Sequence, residues 1–209
     1  DEKEREMARL KYNFRKGEFV LGVMPGSRKS EIKFCLGPQL EAIQLVVSRN
    51  PQVKIAFLVA PNFEVEEFRN SLPQLDFPYV IMRDEPAKMV SLCDAILCAS
   101  GTATLVVGLM EKPMVIMYIV NGLTAFIGRR LVKVPHFGLI NLILGERAVP
   151  EFFQEQATPE NMAGELEKMI RDSGYYNSIK AKLMQARFRL GDKGAMQRVA
   201  QAVESYFKK

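Results

Sequence analysis

The chain has 209 residues, 48% hydrophobic and 25% charged, with a formal net charge of +5; this is typical of a soluble globular protein, and no apolar run approaches the roughly 20 residues of a membrane-spanning helix. The basic excess favours anionic ligands, but without Trp or an aromatic-plus-basic motif it argues against nucleic acid. The three cysteines lack metal-ligand spacing, which argues against zinc and redox chemistry, and the single histidine, His136, rules out His-rich metal sites; no cofactor is expected.

Residues 1–16 are highly charged, which predicts a short solvated helix or the end of a linker. The apolar run Phe19–Met24 then predicts a first strand, and the small residues Pro25–Arg28 predict a turn. Helical periodicity begins at Ser30, although Pro38 is expected to divide or kink that helix. The fold proper is therefore predicted to begin with a strand, a turn and a helix.

Strand and helix patterns alternate through the first 118 residues. Further apolar runs predict strands at 53–60, 79–82, 94–99 and 114–118, separated by helical patterns at 64–70, 85–92 and 102–110. Continuous apolar strands alternating with helices indicate a parallel sheet that is covered on both faces. We therefore predict an α/β fold with a doubly wound, Rossmann-like sheet, whose ligands bind at the carboxyl ends of the strands.

The segment 122–134 has the pattern of a basic amphipathic helix, with Arg129, Arg130 and Lys133 off its apolar face. Two interpretations stay open, namely core packing with a charged edge and binding to an anionic membrane surface. Polar side chains come next in otherwise apolar connections at 138–141 and 150–154, the kind of segment that often contacts ligands.

The last part of the chain is predicted to be helical. Thr158 is a good helix cap with Pro159 at the first helical position, and two more helices are expected at 175–190 and 195–206. The predicted organisation is a charged linker or helix remnant at 1–16, a nucleotide-binding domain at 17–157, and C-terminal helices at 158–209 packed on the same domain.

Two turns stand out because each links a buried strand to a helix. They are Pro25–Arg28 after the first strand and Ser100–Ala103 after the fourth, and in a doubly wound sheet these strands are commonly neighbours at the reversal of strand order. Helix-start N–H groups and a guanidinium suit a phosphate, although Ser100 as a simple helix cap is the alternative interpretation. Neither a P-loop nor a GxGxxG motif is present, so a nucleotide diphosphate is favoured over a nicotinamide or flavin.

Five motifs follow one another along the chain. They are Met24-Pro25-Gly26-Ser27-Arg28 with Glu31-Ile32, Ala99-Ser100-Gly101-Thr102-Ala103-Thr104-Leu105, Lys112-Pro113-Met114-Val115 with Tyr118, Arg130-Leu131-Val132-Lys133, and Asn141 followed by Pro150-Glu151 and Gln154. Together they resemble the motifs of lipid-A-disaccharide synthase over residues 17–170. The resemblance covers only the C-terminal, donor-nucleotide half of that two-domain GT-B glycosyltransferase.

The resemblance implies an inverting, metal-free transfer of 2,3-diacylglucosamine from UDP to 2,3-diacylglucosamine 1-phosphate in lipid A biosynthesis, at the cytoplasmic face of the inner membrane. It implies that the UDP-sugar is bound by Gly26, Ser27, Arg28, Ser100, Gly101, Thr102, Ala103, Asn141, Glu151 and Gln154. Arg28 would stabilise the charge on departing UDP. The general base would lie in an N-terminal half, which is an expected partner, and these 209 residues alone are expected to be inactive.

One position departs from the pattern of that family. Val106 stands where the motif commonly continues with a glutamate, and related GT-B enzymes use a carboxylate there to hold the ribose hydroxyls. Two alternatives therefore remain open beside the transferase. The first is another GT-B enzyme, such as one resembling UDP-N-acetylglucosamine 2-epimerase, and the second is a non-catalytic nucleotide-binding domain.

Overall fold

The apolar runs of the sequence form one parallel sheet in a computed structural model that describes residues 2–121, 135–191 and 194–207. Its six strands are β1 (Val20–Met24), β2 (Lys54–Leu58), β3 (Tyr79–Met82), β4 (Ala95–Ala99), β5 (Met114–Tyr118) and β6 (Glu151–Phe153). They lie in the order β3-β2-β1-β4-β5-β6. The predicted doubly wound, Rossmann-like sheet is confirmed, and so is the pairing of β1 with β4.

Helices cover both faces of this sheet, as right-handed crossovers between parallel strands require. The described helices are α1 (Glu2–Leu10), α2 (Lys29–Arg49), α3 (Val65–Ser71), α4 (Pro86–Leu92), α5 (Ala103–Leu109), α6 (Leu139–Leu144), α7 (Pro159–Arg171), α8 (Ser173–Leu190) and α9 (Ala195–Phe207). Within the described ranges, none of them is long and apolar enough to cross a membrane.

Three expectations about elements were wrong or fall outside the described residues. Pro38 does not divide the second helix, since α2 runs unbroken from Lys29 to Arg49. The connection predicted at 150–154 contains strand β6, which pairs with β5, because edge position lets three residues suffice for a strand. The basic segment 122–134 lies outside the described part of the chain.

The centre of the sheet depends on a close approach between β1 and β4. Gly22 in β1 pairs with Ile96 in β4, and a Cβ at Gly22 would stand 2.5 Å from Ile96 Cδ1 and 2.8 Å from Cys93 Sγ. The three cysteines are free and buried, and burial raises the pKa values of the Cys93 and Cys98 thiols to about 12. Their role is therefore packing, as the sequence predicts.

The charged N-terminal helix is anchored to the amino end of β4. Asp94 accepts hydrogen bonds from Arg5 Nη2 at 2.7 Å, from Arg9 Nη2 at 2.6 Å and from the Val20 N–H at 2.7 Å. Arg9 is only 6% exposed and also donates to the Leu92 carbonyl. The helix expected at 1–16 therefore forms, but two of its arginines point into the fold and not into solvent.

The helices α7 and α8 pack on the rest of the fold. The Thr158 hydroxyl caps α7 by accepting from the Asn161 N–H at 3.2 Å, as predicted. Arg171 at the end of α7 donates to Asn50 Oδ1 at 2.9 Å, just after α2, and Tyr176 in α8 donates to the Asp94 carbonyl at 2.9 Å. Asp94 is thus held by groups from three separate parts of the chain.

Replacing Asp94 with Asn should lower the free energy of unfolding by about 3 kcal/mol, because it leaves the buried Arg9 guanidinium without its counter-charge. Urea unfolding followed by circular dichroism measures the change. Glu66→Gln is the matched control, since it breaks the exposed pair with Arg69 and should change stability by less than about 0.5 kcal/mol. Equal effects in the two variants would contradict the anchoring role.

Candidate functional site

The turns after β1 and β4 face one cavity at the carboxyl edge of the sheet. Its volume is about 530 Å³, and it is lined by residues of both turns together with Leu58, Ala60, Pro61, Asn62, Pro86, Met89, Val106 and Leu139. Among these described lining residues, only Arg28 and Glu31 are charged. The two turns that the sequence singles out are therefore brought together, as expected for the crevice at a reversal of strand order.

The first turn is closed around an internal carboxylate. Glu31 Oε2 accepts from the Ser27 N–H at 2.7 Å, the Arg28 N–H at 3.2 Å and the Ser27 hydroxyl at 3.3 Å. Gly26 has a φ of +132°, and a Cβ there would lie 2.5 Å from Glu31 Cβ, so the turn requires glycine. The Ser27 and Arg28 N–H groups are thus already satisfied within the protein.

Arg28 is the cation at the edge of the cavity. Its backbone caps α2 in an extended conformation, while 77% of its side chain is exposed and its Nη1 donates to Glu31 Oε1 at 3.0 Å. Asn62, which comes after β2, donates to the Ser27 carbonyl at 2.9 Å and so fixes the turn from the other side. The guanidinium keeps further N–H donors for a ligand, because only one is used by Glu31.

The second turn contains backbone N–H groups that have no acceptor among the described residues. Its Ser100 N–H donates to the Met117 carbonyl at 2.7 Å, and the Ser100 hydroxyl donates to the Phe137 carbonyl at 3.3 Å. Within the described residues, the N–H groups of Gly101, Thr102 and Ala103 have no protein acceptor. Since α5 is only seven residues long, these unpaired N–H groups offer a ligand more than the helix dipole does.

A second, smaller cavity of about 230 Å³ adjoins the first across the two turns. The two cavities share Arg28, Glu31, Ala99 and Ser100. The smaller one is otherwise lined by residues of α2, of the end of β5 and of the chain that follows it, including Phe34, Cys35, Tyr118 and Val120. Arg28 and Ser100 therefore stand at the junction of two spaces, where one extended ligand can contact both.

Asn141 and Gln154 do not line either cavity. Asn141 is fully buried, and its amide group both donates to the Val149 carbonyl and accepts from the Val149 N–H. Gln154 makes the same kind of reciprocal pair with the backbone of Val120, a residue of the smaller cavity. In this structure both amides hold connecting segments in place, and neither extends to the larger cavity.

Glu151 also lines neither of the two cavities. Its carboxylate accepts from the Phe137 and Gly138 N–H groups at 3.1 and 2.7 Å, and from His136 Nδ1 at 2.9 Å. Because the Phe137 carbonyl in turn accepts from Ser100, Glu151 supports the second turn through the start of α6. The only histidine is thus engaged by a carboxylate and lies outside the cavity lining.

The wall of the cavity next to the second turn is apolar. Val106 lies one turn into α5 and faces the cavity together with Met89, Leu58 and Leu139. No described carboxylate lines the cavity other than Glu31, which is already bonded to the first turn. Val106, the position that departs from the family pattern, therefore lies on the cavity surface.

Asn62 and the central position of Glu31 were not predicted from the sequence. Both lie where a general rule would have placed them, since Asn62 comes after the carboxyl end of β2, next to β1, and Glu31 is the third residue of α2, where acidic side chains cap helices. The apolar lining residues carry no comparable signal, because Met89 and Leu58 look like ordinary core positions in the sequence.

Known proteins share both the sequence pattern and the architecture. The model of the lipid-A-disaccharide synthetase family matches residues 1–206. A lipid-A-disaccharide synthase of Trichlorobacter lovleyi is 34% identical over 201 residues, which are 96% of this chain and 52% of the relative. The chain spans about half the length of the curated relatives it matches.

Solved structures with a similar fold are more distant in sequence. Spinosyn rhamnosyltransferase SpnG superposes with a TM-score of 0.61 at 16% identity, over 90% of this chain and 46% of that one. The same enzyme complexed with thymidine diphosphate gives a TM-score of 0.55 at 19% identity, over 83% of this chain and 42% of that one. At such identities these likenesses concern the fold alone.

Proposed function

Because this chain belongs to the lipid-A-disaccharide synthetase family, we propose that it is the donor-nucleotide half of an inverting glycosyltransferase. The observation that carries the proposal is the cavity at the β1 and β4 edge, with the Arg28 guanidinium on one side and the unpaired N–H groups of residues 101–103 on the other. A diphosphate fits between these donors. Support also comes from SpnG, a protein of similar fold whose structure contains thymidine diphosphate.

In the proposed reaction, a hydroxyl of 2,3-diacylglucosamine 1-phosphate attacks the anomeric carbon of UDP-2,3-diacylglucosamine. The bond between that carbon and the UDP oxygen breaks, and the negative charge collects on UDP. Arg28 and the N–H groups of Gly101 and Thr102 stabilise this charge without a metal ion. Since the chain spans about half of its relatives, the base that takes the hydroxyl proton is assigned to an N-terminal half.

We assign UDP-sugar binding to residues 17–157, with the helices of 158–209 as its support. Within that assignment Gly26, Ser27, Arg28, Ser100, Gly101, Thr102 and Ala103 contact the donor, whereas Asn141, Glu151 and Gln154 hold the segments around it. The acylated substrates place the reaction at the cytoplasmic face of the inner membrane. Arg129, Arg130 and Lys133 would meet its anionic lipids.

A second candidate, a nucleotide-binding domain without catalytic activity, is favoured by one observation. Val106 puts an apolar side chain on the cavity wall where a carboxylate would hold ribose hydroxyls. Loss of such a hydrogen-bond acceptor weakens binding of the UDP-sugar without removing the phosphate contacts. The two candidates share a nucleotide site, and they differ in whether the bound nucleotide sugar reacts.

Arg28→Ala should weaken UDP binding about tenfold or more, because it removes a charge-assisted donor to phosphate. Isothermal titration calorimetry with UDP measures the loss. Lys29→Ala is the control, as this neighbouring cation pairs with Glu67 and does not line the larger cavity. If both variants lose affinity equally, the effect is general electrostatics and Arg28 is not a phosphate ligand.

Val106→Glu should tighten UDP binding about threefold to tenfold by giving the ribose hydroxyls an acceptor, which is the net gain of about 0.7 to 1.4 kcal/mol expected of a typical hydrogen bond. The gain should vanish with 2′,3′-dideoxy-UDP, which lacks those hydroxyls, and should be absent in Val106→Met. Calorimetry with the two nucleotides decides the point. A gain that persists with the dideoxy nucleotide would show that the carboxylate does not contact the ribose.

The 209-residue chain incubated with UDP-2,3-diacylglucosamine and 2,3-diacylglucosamine 1-phosphate should release no UDP, because the proposed base is not among its residues. Mass spectrometry of the lipid product and a coupled assay for UDP monitor the reaction. Joining the chain to the N-terminal half of a relative should restore turnover, which Arg28→Ala should abolish. Turnover by the chain alone would move the base into these residues, while an inactive fusion that binds UDP would favour the non-catalytic domain.

A further inference from the structure

We propose that Glu31 is a positioning residue, which holds the Arg28 guanidinium in the orientation that receives the nucleotide phosphate. The inference rests on the proposed function, since it concerns the same cavity. Its basis is that the two carboxylate oxygens of Glu31 contact different parts of the first turn.

One oxygen of Glu31 stabilises the backbone. Oε2 accepts from the N–H groups of Ser27 and Arg28 at 2.7 and 3.2 Å, which is the contact of a helix-capping glutamate at the third helical position. This contact stabilises the turn and the start of α2, together with the bond from Asn62 to the Ser27 carbonyl. It requires only one acceptor oxygen, so a glutamine would serve as well.

The other oxygen of Glu31 is bonded to the Arg28 side chain. Oε1 accepts from Arg28 Nη1 at 3.0 Å, and this is the only hydrogen bond of the Arg28 side chain to the described residues. With 77% of that side chain exposed, this bond is its one hydrogen-bonded restraint among the described residues. A hydrogen bond at one nitrogen restricts the orientation of the planar guanidinium, so its remaining N–H groups favour one direction before a ligand arrives.

The same geometry determines where a phosphate binds. Glu31 occupies the Ser27 and Arg28 N–H groups, so these donors are closed to a second anion. The phosphate is left with the guanidinium on one side and the unpaired N–H groups of residues 101–103 on the other. Glu31 thereby excludes the phosphate from the first turn and aims Arg28 towards the second.

The test is a double-mutant cycle of Glu31→Gln and Arg28→Ala, with UDP affinity measured by calorimetry. The Glu31→Gln side chain keeps a carbonyl oxygen for the two backbone N–H groups, but its –NH₂ group cannot accept from the guanidinium. Glu31→Gln should therefore weaken UDP binding about fivefold in the wild-type background and have no effect when Arg28 is already Ala. Thermal melts of all four proteins test the fold separately. We expect Glu31→Gln to have the same melting temperature whether residue 28 is Arg or Ala.

Several outcomes would overturn this inference. Unchanged or tighter UDP binding by Glu31→Gln would show that the carboxylate does not orient Arg28 or merely competes with the phosphate. Equal weakening in both backgrounds would assign its effect to the turn and not to Arg28. If the wild type binds UDP and Arg28→Ala binds it measurably but more weakly, either result rejects the positioning role alone. A wild type that binds no UDP rejects the proposed function and the positioning role together.

Discussion

The contact between β1 and β4 is the constraint on which the rest of the structure depends. These strands lie at the centre of the sheet, and the chain leaves them in opposite directions, towards β2 on one side and β5 on the other. Gly22 lets them pack closely, since any side chain there would overlap Ile96. Because the connections diverge, the turns at their carboxyl ends open a crevice that no other pair of strands in this sheet can form.

The two turns of this crevice are built in opposite ways. The first is satisfied internally, because Glu31 accepts from the backbone and side chains of Ser27 and Arg28. The second leaves the N–H groups of residues 101–103 unpaired within the described structure. One turn thus presents a cation bonded to Glu31 and the other presents unpaired N–H groups, a combination of charge and hydrogen-bond donors that suits the proposed diphosphate.

Several polar side chains away from the two turns hold neighbouring segments of the chain in place. Glu151, Gln154 and Asn141 are each closed on backbone groups, and Glu151 reaches Ser100 only through Phe137. At the opposite edge of the sheet, Asp94 fixes the start of β4 by ion pairs with Arg5 and Arg9 of the N-terminal helix. The family resemblance implies that Asn141, Glu151 and Gln154 contact the UDP-sugar, whereas in this structure all three bond to other parts of the chain and none lines the larger cavity.

The sequence by itself determined the alternation of strands and helices, the doubly wound sheet and the two turns at β1 and β4, because these result from local periodicity and small residues at strand ends. It did not reveal β6, whose three residues gain strand geometry only by pairing with β5. Nor did it reveal that Glu31 closes the first turn, that Asn141 is buried, or that Val106, Met89 and Leu58 share one wall. Only the tertiary structure decided these points, because each depends on side chains from distant parts of the chain that the fold brings within a few ångströms of one another. Periodicity along the chain contains no information about such distances.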